Sequence, residues 1–106
     1  MNPIPAKRAT DLVDRAFDEK DSAGHLIEKG EFRITTDEAT SQRWFWFKCP
    51  GACGVTAAVA LRPVVAPGTH QSWELSGTED APTLQPSINH VGCWHGWLRN
   101  GVFSLA

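Results

Sequence analysis

Cys49, Cys53, Cys93 and His95 are the residues of this sequence whose types and spacing suit joint chemistry. Thiolates and imidazole are the ligands that Zn2+ takes in a tetrahedral shell. Cys49-Pro50-Gly51-Ala52-Cys53-Gly54 reads as a tight turn of C-x3-C spacing, whose small residues leave both sulfurs clear to face one ion. In Cys93-Trp94-His95, positions 93 and 95 share a face if the segment is a strand, so both reach the same ion. His90, three residues before Cys93, competes with His95 for the fourth position, and His95 is preferred. The plainer alternative is that the three cysteines are ordinary buried thiols. Three cysteines leave one over in any disulfide scheme, and MNPIPAKRATDL lacks the apolar core of a secretory leader. Both point to a reducing compartment, hence to a cytoplasmic protein with Zn2+ as a structural staple.

The elements that must hold this site read mostly as strands. Phe32, Ile34 and Thr36 alternate with Glu31, Arg33 and Thr35, the pattern of a half-buried strand. Arg43-Trp44-Phe45-Trp46-Phe47-Lys48 carries aromatics on both faces, as a covered central strand does, with Trp44 and Trp46 read as core. Val55, Ala57, Val59 and Leu61 suggest the return strand, so residues 43–61 form a hairpin tipped by the cysteine turn. Residues 72–76 make a further strand. Residues 77–89, rich in Gly, Pro, Asp and Thr, read as an ordered loop. Residues 93–98 and 102–105 are short strands joined at Asn100-Gly101, a type I′ signal. Ahead of these, residues 1–9 read as a loose arm, and Thr10 caps a short amphipathic helix over about 11–19 built on Leu12, Val13, Ala16 and Phe17. The expected division is an arm and helix over 1–30 and a zinc-binding β domain over 31–106. The fold class is a small, zinc-clipped, mostly antiparallel β domain, as one sheet or a sandwich, with a short N-terminal helix.

The chain's 106 residues suit one domain that gains from a metal cross-link. Its net charge of −2 gives no global pull toward nucleic acid or anionic membrane, and no apolar run approaches the roughly 20 residues a membrane helix needs.

The cysteine turn CPGACG after an aromatic strand, then WELSG, PTLQPSI and CWHGWLRNGVF, together resemble the DUF6527 family. These are small proteins of bacteriophages and prophages. The resemblance covers about residues 43–105. It departs at Gly51, where the family often has a further cysteine, and at Trp94, which separates Cys93 from His95 where the family often joins cysteine and histidine directly. It implies a viral or prophage origin, a metal-stabilised β fold and no established activity.

A Cys3His shell leaves no open position for a catalytic water, and no nucleophile elbow, phosphate loop or zinc-protease motif is present. Glu74, Glu79 and Asp80 near His70 are the acids from which a hydrolase site could be imagined. The expectation is therefore a protein without enzymatic activity, a phage-type accessory module with a structural zinc and a protein partner. The amphipathic helix and residues 77–92 would be its contact surfaces. Nucleic-acid binding is the second reading and needs Arg43, Lys48, Arg62 and Arg99 on one face beside an exposed tryptophan. A zinc hydrolase is third.

Overall fold

The computed structural model describes residues 2–9, 28–64 and 71–106. The strands among them are β1 (Ile4–Pro5), β2 (Lys7–Arg8), β3 (Glu31–Thr36), β4 (Arg43–Lys48), β5 (Thr56–Leu61), β6 (Glu74–Gly77), β7 (Pro82–His90), β8 (Trp94–Arg99) and β9 (Val102–Leu105). They make a five-stranded sheet, β1-β9-β8-β7-β6, and a four-stranded sheet, β2-β3-β4-β5. The fold is mostly β, as expected. The helix expected over 11–19 lies outside the described residues, and so does His70.

Alternation explains how the two sheets meet. In β4, Phe45 and Phe47 are fully buried, while Trp44 and Trp46 are half-buried on the opposite face. The two tryptophans are thus not core as expected: Trp46 lies along the outside and donates its indole N–H to Thr35 Oγ1 at 2.8 Å. Phe47 stacks on Phe103 of the other sheet at 5.7 Å and meets Trp94 edge-on at 6.3 Å. Phe32, Val59 and Leu61 on one side, and Leu84, Ile88 and Leu98 on the other, complete one shared core. Burial of these side chains drives the assembly, at about 1.5–3 kcal/mol for each large apolar group.

Two segments differ from the sequence expectation. The loose arm expected over residues 1–9 is instead tied to both sheets: β1 pairs with β9, β2 pairs in parallel with β3, and Ala6 N between them donates to Gly101 O at 2.7 Å. The loop expected over 77–89 contains β7, which has β6 on one side and β8 on the other. Its prolines hid it. Pro82 opens the strand and Pro86 falls in a register irregularity, two places where a missing N–H costs no ladder bond. The expected turn between β8 and β9 is present, with φ of 49° at Asn100 and 75° at Gly101.

Candidate active site and metal centre

The hairpin of β7 and β8 carries Ser87 and His95 and two of the four residues of the cysteine cluster, His90 and Cys93. Along β8, Trp94, Gly96 and Leu98 are buried and point into the sandwich, so His95, Trp97 and Arg99 lie on the outer face. On β7, Leu84 faces Leu98 and Ile88 faces Gly96, so four steps along one strand oppose two along the other. A bulge of this kind re-aims side chains locally. Ser87 lies within it, half-buried, and its Oγ is 3.3 Å from His95 Nε2. Trp73 reaches over from the lead-in to β6 and donates its indole N–H to Ser87 O at 3.4 Å. Trp73 is itself fixed by backbone bonds from Trp73 N to Ala60 O at 2.8 Å and from Arg62 N to Trp73 O at 2.9 Å. Ser87 is thereby held from both neighbouring strand lines.

The turn of the hairpin, just beyond this pair, borders the cysteine cluster. Cys93 N donates to His90 O at 2.9 Å, closing the turn between β7 and β8. This turn meets the cysteine turn at the tip of the β4–β5 hairpin. One ligand atom from each of Cys49, Cys53, His90 and Cys93 lies within 4.8 Å of all the others, close enough to hold a metal ion. Cys49 Sγ is 3.3 Å from Cys93 Sγ and 3.2 Å from His90 Nδ1, and Cys53 Sγ is 3.8 Å from His90 Nδ1. Cys53 and Cys93 stand at disulfide distance, and Cys49 is a buried free thiol. Gly51 permits the approach: a Cβ there would stand 2.7 Å from Cys93 Sγ and 2.9 Å from Trp94 Cβ.

Three of the four expected ligands, Cys49, Cys53 and Cys93, therefore converge, and the fourth residue beside them is His90. His95 lies outside the cluster, on Ser87. The shared-face rule failed because Cys93 is in the turn and the strand begins only at Trp94. Ser87 falls in the segment expected to be a loop, and its type alone gives it no role. The available signal was a serine in PTLQPSI and a histidine in CWHGWL, two separate motifs that the hairpin brings together.

A groove of about 370 Å³ opens between the sheet edges, lined in part by Arg8, Ile34, Arg43, Leu75 and Glu79. Neither Ser87, His95 nor the cysteine cluster borders it.

A serine hydroxyl within reach of an imidazole, held on rigid strands, is the pairing of hydrolases that use an activated serine. Residues 18–106 match the family described as bacterial ubiquitination-like system serine protease (BubE), and the chain belongs to that family. No curated protein and no solved structure matches it. The family match overturns the DUF6527 resemblance, the phage-type interaction module and the expectation that the protein is not an enzyme.

Proposed function

We propose that this chain is a serine protease acting on a protein of a bacterial ubiquitination-like system, with Ser87 as nucleophile and His95 as general base. The 3.3 Å contact between Ser87 Oγ and His95 Nε2, in a member of this protease family, carries the reading. With the Nε2 lone pair facing the hydroxyl, His95 takes the Ser87 proton as Oγ attacks the scissile carbonyl carbon. The imidazolium then gives that proton to the departing amine as the C–N bond breaks. Water hydrolyses the resulting Ser87 ester by the same steps, returning the proton to Oγ. Trp73 acts as a positioning residue by fixing the Ser87 carbonyl.

Within this reading, Cys49, Cys53, His90 and Cys93 hold Zn2+ when their thiols are reduced. A disulfide accounts for two sulfurs and leaves a buried thiol and an imidazole converging on the same point; a four-ligand shell accounts for all four. A closed Cys3His set offers no open position, so its role is structural. It would clip the turn three residues beyond Ser87 and two before His95 to the other sheet.

The test is cleavage of a precursor protein encoded with such a system, together with labelling by a fluorophosphonate. Ser87→Ala and His95→Ala should each lower cleavage by about 10³-fold or more with the far-ultraviolet spectrum unchanged. Mass spectrometry should place the phosphonyl group on Ser87. Full cleavage by Ser87→Ala would sink the proposal.

A further inference from the structure

The outer face of β8 continues past the serine–histidine pair with Trp97 and Arg99. The Arg99 guanidinium lies over the Trp97 ring, 3.9 Å from its centroid. Alternate residues of a strand stand about 6.6 Å apart, so a guanidinium folded over Trp97 sits about one such step from His95 rather than two. Stacking on the indole holds the charge in place and leaves the edge of the guanidinium, with its N–H donors, open. Arg99 is exposed, and no carboxylate among the described residues pairs with it. Glu74 is the acid that alternation puts on this outer face: its neighbour Leu75 faces the buried Leu84, and Glu74 itself stands opposite Gln85, on the far side of β7.

The geometry points to Arg99, stacked on Trp97, as a specificity-determining residue that binds a carboxylate of the peptide substrate about two residues from the scissile bond. This rests on the protease reading above. A planar guanidinium meets a carboxylate with two parallel N–H···O bonds, which fixes direction as well as charge. An extended peptide advances about 6.6 Å in two residues, the same step that separates His95 from Trp97, over whose ring the cation lies. The carboxylate comes either from an Asp or Glu side chain or from a free C-terminus.

The experiment compares three peptidyl fluorophosphonates on the full chain. Each has a two-residue arm ending in a free carboxylate, in a carboxamide, or in a carboxamide with an internal aspartate. In each reaction the Ser87 Oγ–P bond forms, fluoride leaves and the hydroxyl proton passes to His95. Wild-type Ser87 should be labelled by at least one carboxylate probe on the order of tenfold faster than by the plain carboxamide, as a charge-assisted bond implies. The faster of the two identifies the source of the carboxylate. Arg99→Glu should reverse the preference and Arg99→Ala should flatten it, while Arg43→Glu, a charge change on the other sheet, should keep it. Equal rates for all three probes in the wild type, or a preference that survives Arg99→Glu, would overturn the assignment and leave the protease reading standing. Absence of Ser87 labelling by every probe would overturn both.

Discussion

At the residue scale, the side chains that matter are those whose neighbours leave them one position. Ser87 is held through its carbonyl by the Trp73 indole and through its hydroxyl by His95. Trp73→Phe keeps an aromatic ring, though a smaller one, and removes the donor. Its cleavage rate should fall severalfold, chiefly in kcat, while the thermal midpoint moves little, since a single hydrogen bond contributes about 1 kcal/mol. A loss seen only in KM would show that Trp73 contacts substrate rather than positions the nucleophile. Gly51 is constrained differently. Gly51→Ala puts a methyl group where the Cys93 sulfur and the Trp94 Cβ already stand, and should lower metal content per chain with little change in overall fold. Elemental analysis of the purified variant decides this. At this scale the sequence was half legible. Cys49, Cys53 and Cys93 announced themselves by type and spacing. That His90 rather than His95 stands beside them did not, because it depends on where a turn ends and a strand begins.

At the scale of elements, the β7–β8 hairpin brings the serine–histidine pair next to the cysteine cluster. His90 and Cys93 close its turn, while Ser87 and His95 face each other just inside. On the proposed zinc site, stripping metal with a chelator under reducing conditions should therefore suppress both cleavage and fluorophosphonate labelling, although no hydrogen bond among the described residues joins the cluster to Ser87. Restored zinc should restore both. Labelling that persists in the stripped protein would mean that the hairpin keeps its shape unaided. The β8–β9 turn offers a second test. Gly101 has φ of 75°, and a Cβ there would stand 2.8 Å from Ala81 Cα. Gly101→Val should cost about 2 kcal/mol or more, read as a lower denaturant midpoint, because a β-branched residue resists positive φ and the backbone of Ala81 cannot yield. The strands β3, β4, β5, β8 and β9 were legible from alternation and from Asn100-Gly101. β7 was not, since its prolines and polar residues are those of a loop until the sheet around it is known.

At the scale of the whole molecule, the two sheets share one aromatic core centred on Phe47. Phe47 is fully buried and touches Phe45 in its own sheet and both Trp94 and Phe103 in the other. Phe47→Ala should cost about 3–5 kcal/mol, the range for emptying an aromatic site. Equilibrium unfolding in urea measures it, and a loss below 1 kcal/mol would mean that the sheets close over the gap. The sandwich itself was only partly legible. The two faces of β4 were not legible, since its tryptophans, expected in the core, lie on the outer face, and the pairing of β1 and β2 with different sheets rests on contacts far apart in sequence. The serine pair was hidden for the same reason, since the bulge that aims Ser87 has meaning only against β8.

That bulge also sets a counting rule for this stretch of chain. Both Leu84 and Ile88 face the core, so the extra length between them is an even number of residues and conserves which side each residue takes. Removing one residue from 85–87 would invert one flank of the strand, turning Ile88 to solvent or Leu84 out of the core. Removing two would preserve sidedness on both flanks and flatten only the kink that presents the serine. Insertions and deletions here should be tolerated in pairs for folding.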